Sequence, residues 1–146
     1  MADSLGETGP DRPTVLLVDD DQGNLDLLAE VLESGGVHVV GQANDGPSGI
    51  ELVASLEPDV VLLDLRMPGM DGFETARLIR ETGSPTQIVF LTAYEELLTN
   101  SAEEMGAYAY LVKGCSTDLM IDVIRQAWRR GLQVRRGSES GGDAGR

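Results

Sequence analysis

The residues of this 146-residue chain that could carry chemistry are a run of three carboxylates, a fourth aspartate, a threonine and a lysine. The triplet 19–21 follows the apolar run VLLV, Asp64 follows VVLL, Thr92 follows IVFL, and Lys113 follows AYLV. Clustered carboxylates repel one another and need a counter-charge, and hard oxygen ligands of this kind suit Mg²⁺. An aspartate in such a cluster can also be a nucleophile toward a phosphoryl group, while an ammonium and a hydroxyl bind the other phosphoryl oxygens.

Short apolar runs alternate with segments of helical periodicity between these residues. This alternation is typical of parallel βα units, so the expected fold class is α/β. The predicted strands are Val15–Val18, Val37–Val40, Val60–Leu63, Ile88–Leu91 and Tyr108–Val112. The predicted helices lie near 22–34, 47–56, 72–82, 95–105 and 117–130. Four of the strands are unbroken by polar residues, as expected for strands covered on both faces, whereas the second contains His38 and is expected at an edge.

In an open parallel sheet, ligands bind beyond the carboxyl ends of the strands. The candidate residues all follow strand ends, so they should converge at one edge of the sheet although about 95 residues of sequence separate them. We interpret the constellation as an aspartyl-phosphate site, where catalysis needs mainly positioning and charge neutralisation.

Four ordered motifs resemble the receiver domain of two-component response regulators: VLLVDDD (15–21), DVVLLDLRMPGMDG (59–72), IVFLTAY (88–94) and AYLVKG (109–114). The resemblance covers about residues 14–130. It implies a flavodoxin-like (βα)5 fold, a doubly wound sheet of five parallel strands in the order 2-1-3-4-5. It also implies three segments, namely a flexible N-terminal arm over 1–13, the receiver domain over 14–131 and a flexible tail or truncated linker over 132–146.

The resemblance assigns a role to each candidate by position. Asp64 is the expected phosphoacceptor and an expected metal ligand, and Asp19 with Asp20 is the acid pair that binds Mg²⁺, for which Mn²⁺ can substitute. The remaining expected roles belong to the backbone carbonyl of Arg66 as a further metal ligand, Lys113 and Thr92 as phosphoryl-binding groups, and Tyr110 as an aromatic switch coupled to Thr92. No residue is expected to bind another cofactor.

The residues also allow plainer interpretations. Asp19 and Asp20 could cap the first helix, Tyr110 could be an ordinary core aromatic, and Asp21 lies outside the acid pair and could serve the helix as an N-terminal acid. Gly114 stands where the family often has a proline, so the loop after Lys113 depends on glycine.

The resemblance implies a signalling switch, and no separate enzymatic substrate is expected. A sensor histidine kinase or histidine phosphotransfer protein would phosphorylate Asp64, and partner binding would change at the face formed by the predicted 95–105 helix, the fifth strand and the last helix. A phosphorylation-dependent homodimer is one form that this change could take. Whether the chain stands alone or is the receiver part of a transcriptional regulator is left open.

Two other functions remain as alternatives. One is a phosphatase or phosphotransferase of the haloacid-dehalogenase type, for which the run 19–23 has the required acids but ends in Gly23. The other is a receiver-fold adaptor that does not depend on phosphorylation.

The overall charge excludes other classes of function. The sequence has 25 Asp and Glu against 11 Lys and Arg, a formal net charge of -14, which disfavours non-specific binding to nucleic acid or anionic lipid. Neither direct nucleic-acid binding nor membrane association is expected, and with a single cysteine, Cys115, the expected location is the cytoplasm. Six of the positive charges lie in the last 22 residues, so the C-terminal segment is the one basic region.

Overall fold

The computed structural model describes residues 12–93 and 106–144, with side chains described up to residue 135. The strands are Thr14–Val18 (β1), His38–Ala43 (β2), Val60–Asp64 (β3), Gln87–Thr92 (β4) and Ala109–Val112 (β5). The described helices are Gln22–Ser34 (α1), Gly46–Leu56 (α2), Gly72–Glu81 (α3) and Thr117–Ala144 (α4). The predicted helix near 95–105 and most of the N-terminal arm lie outside the described residues.

The five strands form one parallel sheet in the order β2-β1-β3-β4-β5. The predicted fold class and strand order are therefore confirmed, and β2 lies at an edge as expected. His38 is exposed at the amino end of this strand, where its Nδ1 lies 3.4 Å from Oε2 of Glu33. No described helix combines the length and apolarity that a bilayer-spanning helix needs.

The core consists of two apolar layers, one on each face of the sheet. Successive strand residues point to opposite faces, so Val15 and Leu17 pack with α1 and α4, whereas Leu16 and Val18 pack toward α2 and α3. All residues of β3 are buried, because this strand has neighbours on both sides and helices on both faces. The sheet centre is consequently the most confined part of the fold.

Aspartates begin three of the described helices. Asp21, Asp45 and Asp71 each have extended backbone angles, and each side chain accepts a hydrogen bond from a backbone N–H of the first turn of α1, α2 or α3. Such caps satisfy N–H groups that have no partner within the helix. They fix where the chain turns from a carboxyl strand end into a helix.

The last helix is longer than the sequence pattern predicts. The expected end is near 130, followed by a flexible tail or truncated linker over 132–146, whereas the helical backbone continues to Ala144. No proline interrupts the segment, and Arg135 in the extension forms an ion pair with Asp59 at 3.4 Å. The start of α4 at Thr117 agrees with the prediction, while the domain boundary placed at 131 stays a prediction.

The connection from β3 to α3 folds back tightly on the end of the strand. The Gly72 N–H donates to the Leu65 carbonyl at 2.9 Å, and a Cβ at position 72 would collide with the Asp64 carbonyl oxygen and lie 2.7 Å from Cα of Leu65. Those neighbours are backbone atoms, which cannot move aside as a side chain can. Only glycine fits at this close approach.

We expect Gly72→Ala to lower the free energy of unfolding by about 1–3 kcal/mol, the range typical of overpacking, as measured by urea denaturation. Gly23→Ala is the matched control, because an added Cβ there meets only the side-chain oxygen Oδ1 of Asp21, at 3.2 Å. This control should lose less stability than Gly72→Ala, because the Asp21 side chain can shift by a few tenths of an ångström whereas the backbone at Asp64 and Leu65 cannot. Equal stability of the two variants would contradict the close-approach argument.

Candidate functional site

Three carboxylates converge at the carboxyl edge of the sheet. Asp19 and Asp64 are each 3% exposed and Asp20 is exposed, and one oxygen from each of the three lies within 4.8 Å of the others. Val18 pairs with Leu63, so β1 and β3 end side by side and deliver their next residues to the same place. The predicted acid cluster is therefore formed by the strand register itself.

Lys113 provides the counter-charge within this cluster. Its Nζ lies 3.1 Å from Oδ2 of Asp64 and 3.9 Å from Oδ2 of Asp19, and its side chain remains 38% exposed. Val112 pairs with Thr92 across β4 and β5, which carries the next residue, Lys113, to the edge where β3 ends. The one lysine of the sequence thus meets both buried carboxylates.

The Asp64 carboxylate is held at both oxygens. Oδ2 faces the lysine ammonium, while Oδ1 accepts a hydrogen bond from the Arg66 backbone N–H at 3.2 Å. Desolvation by burial raises the pKa of the Asp64 carboxyl above its ordinary value, and the Asp19 charge acts in the same direction, whereas Lys113 and the Arg66 N–H oppose the rise. The site holds its charge at a free-energy cost that a bound cation would reduce.

Asp19 is fixed by its surroundings before any ligand binds. Its Oδ1 accepts from the Asp21 backbone N–H at 2.9 Å, and its backbone N–H donates to the Ala43 carbonyl at 3.1 Å. Nδ2 of Asn24 lies 3.5 Å from its Oδ2. Asn24 does not stand out in the sequence, and its only signal is a position one helical turn into α1.

The third acid of the triplet does a different job. Oδ1 of Asp21 accepts from the backbone N–H groups of Gly23 at 2.9 Å and Asn24 at 3.3 Å, so this side chain caps α1. Asp21 is absent from the carboxylate cluster found among the described residues. The interpretation of Asp21 as an N-terminal helix acid agrees with this geometry.

Thr92 ends β4 directly beside the cluster. Asp64 pairs with Leu91, so Thr92 is the next residue along the neighbouring strand. The side chain is completely buried, and within the described part of the chain its Oγ1 has no hydrogen-bond partner. A buried hydroxyl in this position has bonding capacity left for a group that enters the site.

Tyr110 packs inward from β5. Its ring centroid lies 5.7 Å from that of Phe90 with the planes tilted by 32°, and Phe90 makes an edge contact with Phe73 of α3, also at 5.7 Å. The aromatic side chain thus belongs to the core layer on the α3 side of the sheet. Its assignment as a switch stays a prediction.

The loop after Lys113 turns through glycine, as expected. Gly114 has a φ of 93°, in the left-handed region that favours glycine, and the Cys115 N–H donates to the Val112 carbonyl at 3.0 Å. Cys115 itself is partly buried, and burial raises the pKa of its thiol. The turn brings α4 back beside the end of β5.

Comparison with known proteins agrees with this geometry. The sequence profile described as "Response regulator receiver domain" matches residues 15–125. Among curated proteins, the chain is 34% identical over 138 residues to the "Probable transcriptional regulatory protein NarL" of Mycobacterium tuberculosis H37Rv, covering 93% of this chain and 63% of that protein. It is 39% identical over 115 residues to the "Transcriptional regulatory protein LiaR" of Bacillus subtilis, covering 77% of this chain and 54% of LiaR.

One further relative carries an enzyme name. The "Protein-glutamate methylesterase/protein-glutamine glutaminase" of Natronomonas pharaonis is 40% identical over 102 residues, which is 67% of this chain and 28% of that protein. The chain therefore spans less than two thirds of the length of these relatives.

Solved structures give the same result. The signal receiver domain of the putative response regulator NarL from Mycobacterium tuberculosis superposes with a TM-score of 0.75 at 33% identity, covering 82% of this chain and 98% of that one. The response regulator domain of Thermotoga maritima CheB superposes with a TM-score of 0.71 at 27% identity, covering 81% and 97%. The fold, the acid cluster and the matched profile together show that this chain belongs to the receiver domain family of two-component response regulators.

Proposed function

We propose that the chain is a phosphorylation switch in which Asp64 accepts a phosphoryl group from a phosphohistidine. The observation that carries the proposal is the meeting of Asp64 with two further carboxylates and the lone lysine, Lys113, at one strand edge. Buried like charges are costly, and a fold that needed only stability would not place Asp19 and Asp64 side by side. Such an arrangement is typical of a site that binds a cation and accepts a phosphoryl group.

The donor set fits Mg²⁺. Asp19, Asp20 and Asp64 each offer a carboxylate oxygen, and these oxygens lie within 4.8 Å of one another. The Arg66 backbone carbonyl is the further ligand that family membership implies. When bound, the ion supplies neutralisation of the phosphoryl oxygens. Mn²⁺ prefers similar oxygen ligands and is expected to substitute.

The chain's own residues position the transfer. A carboxylate oxygen of Asp64 forms the new O–P bond while the P–N bond of the phosphohistidine breaks, and the bonding electron pair stays on the imidazole nitrogen. The Arg66 N–H, 3.2 Å from Oδ1, and Lys113 keep the carboxylate oriented, and the ammonium is close enough to move onto a phosphoryl oxygen. Positioning and charge neutralisation are the main contributions needed in such a transfer.

The one histidine of this sequence is not placed to act as the phosphoryl donor. The only histidine, His38, lies at the amino end of β2, whereas the site lies at the carboxyl ends of the strands. A groove of about 250 Å³ adjoins the site, and Lys113 lines it together with Leu27, Leu28 and Met120. Leu27 is 60% exposed. This apolar surface, continuous with the site, suits the phosphohistidine-bearing helix of a sensor kinase or a histidine phosphotransfer protein.

Phosphorylation would change the β4–β5 region through Thr92. A phosphoryl group adds a charge of about -1.5 to -2 and offers an acceptor oxygen to the Thr92 hydroxyl, which has no partner among the described residues. Tyr110 lies on the neighbouring strand, so a shift at the end of β4 would reach its ring and alter the face used by a partner, including a second copy of the chain. By analogy with the relatives' names, the proposal includes an output in the control of transcription. It also places the protein in the cytoplasm.

The two alternatives are less well supported by the geometry. A phosphatase of the haloacid-dehalogenase type would need the second acid of its Asp-x-Asp motif in the site, but Asp21 caps α1. A phosphorylation-independent adaptor would have no use for the full set of Asp64, Lys113 and a buried Thr92 hydroxyl to which no described residue is hydrogen-bonded.

The first prediction separates Asp20 from Asp21. With acetyl phosphate as donor, Asp20→Asn should raise the Mg²⁺ concentration needed for half-maximal phosphorylation by at least about tenfold, because one ligand loses its charge. Asp21→Asn should phosphorylate like the wild type and lose only about 1 kcal/mol or less of stability, because only a helix cap changes. Intact-protein mass spectrometry across a Mg²⁺ series measures the phosphorylation of the two variants, and urea denaturation measures their stability.

Asp64→Asn should accept no phosphoryl group, and labelling of that variant at the wild-type rate would exclude the proposed acceptor.

The second prediction concerns the two buried hydroxyls at opposite ends of β4. Thr92→Val and Thr86→Val should each leave unphosphorylated stability unchanged or raise it by up to about 1 kcal/mol, because each removes a buried Oγ1 that has no partner among the described residues. Only Thr92→Val should lose the conformational response to beryllofluoride with Mg²⁺. NMR chemical shifts of the β4 and β5 amides measure this response. A response equally weak in both variants would argue against a specific role for Thr92.

The third prediction follows from the raised pKa of Asp64 in the metal-free protein. In the pH window between the unfolded and folded pKa values, the folded state binds more protons, so stability falls as pH rises through that window. Asp64→Asn should therefore be more stable than the wild type at neutral pH in EDTA. The difference should shrink as pH falls below the ordinary carboxyl range, where both states of the wild type are protonated. Urea denaturation at several pH values tests the sign, and a destabilised Asp64→Asn at neutral pH would contradict it.

A further inference from the structure

A second polar junction lies at the opposite, amino-terminal edge of the sheet. Its centre is Asp59, one residue before β3. Oδ2 of Asp59 accepts from the backbone N–H of Thr14 at 2.9 Å and from its hydroxyl at 3.0 Å, and the Asp59 N–H donates back to that hydroxyl at 2.9 Å. These bonds join the starts of β1 and β3.

The same residue reaches two further elements. Its carbonyl accepts from the Gln87 N–H of β4 at 3.0 Å, and its Oδ1 lies 3.4 Å from Nη1 of Arg135 on α4. The side chains of Arg135 and Asp59 are 34% and 18% exposed, so the ion pair is only partly shielded from solvent. One aspartate therefore connects three strands to the C-terminal helix.

The contact on α4 comes where the helix leaves the apolar core. Ile124 and Ala127 are fully buried in the core, and Gly131 is buried against Gln87, where an added Cβ would lie 3.2 Å from Cγ of that side chain. Arg135 is one turn further along. Its hydrogen bond to Asp59 reaches the sheet edge beyond the close approach at Gly131.

The sequence beyond Arg135 favours helix poorly. Glycines stand at 137, 141 and 142 and serines at 138 and 140. Each glycine in a helix interior is less favourable than alanine by about 1 kcal/mol. The ion pair with Asp59 lies directly before this segment, so it joins α4 to the sheet edge where the local preference for helix declines.

We propose that the Asp59–Arg135 pair is a clamp that makes α4 part of the receiver body as far as Arg135. The pivot for whatever follows the receiver then lies directly after Arg135, not at the end of the apolar core near Gly131. Residues 136–146 follow this contact, so the clamp would set the direction in which they leave the receiver. The proposal concerns the fold alone and does not depend on phosphorylation.

Amide hydrogen exchange on the full chain tests the position of the pivot. In the wild type we expect slow exchange through Arg135 and fast exchange from Gly137 onward. This step from slow to fast exchange marks the position of the pivot. Arg135→Gln should move this step back to Gly131 and accelerate exchange of residues 132–135 about threefold to fivefold, the effect of losing a partly exposed ion pair. Arg135→Lys, which keeps the charge, should give an intermediate rate.

The matched control is Arg129→Gln. Arg129 is an exposed arginine of the same helix, six residues before Arg135. This variant should keep the wild-type step, whereas a step that moves equally would show that helix charge, not the clamp, sets the boundary. The proposal also fails if the wild-type step already lies at Gly131, or if Arg135→Gln leaves the step in place.

Discussion

The contact between the Lys113 ammonium and the buried Asp64 carboxylate is the constraint on which the rest of the site depends. Two carboxylates that are 3% exposed lie side by side, and burial raises the pKa of the Asp64 carboxyl. A single ammonium 3.1 Å from one and 3.9 Å from the other provides the compensating charge. The lysine is partly exposed, so it can shift toward an incoming anion without being extracted from the core.

This contact requires that β1, β3, β4 and β5 end at the same level. The parallel registers meet that requirement, since Val18 pairs with Leu63, Asp64 with Leu91 and Thr92 with Val112. The connections are adapted to the same edge. Asp21 caps α1 while its backbone N–H holds Asp19, and Gly72 lets the chain turn against the Asp64 carbonyl. Chain turns and site geometry are therefore produced by the same residues.

Much of this site could be predicted because its residues follow apolar strands, and parallel strands bring their carboxyl ends to one edge. The order of the strands came from resemblance to a family, since spacing alone does not determine it. The Asp59 junction could not be predicted, because its partners Thr14 and Arg135 lie 45 and 76 residues away and neither partner belongs to one of the four motifs. The length of α4 could not be predicted either. Residues 132–135 lie beyond the apolar pattern, and the ion pair between Arg135 and Asp59 that joins them to the sheet edge is a long-range contact.

The two polar junctions lie at opposite ends of one strand, and this limits how a signal can leave the site. Asp59 precedes β3 and Asp64 ends it, and all residues between them are buried with neighbours on both sides. A strand so confined resists displacement, because moving it would break ladders with β1 and β4 together. The carboxyl end of β4 is different, since Thr92 has a buried hydroxyl with no described partner, and β5 beyond it is only partly buried. Rearrangement at the β4–β5 side disturbs fewer contacts than movement of β3, so a charge added at Asp64 should act sideways through Thr92 and not along β3 toward Asp59.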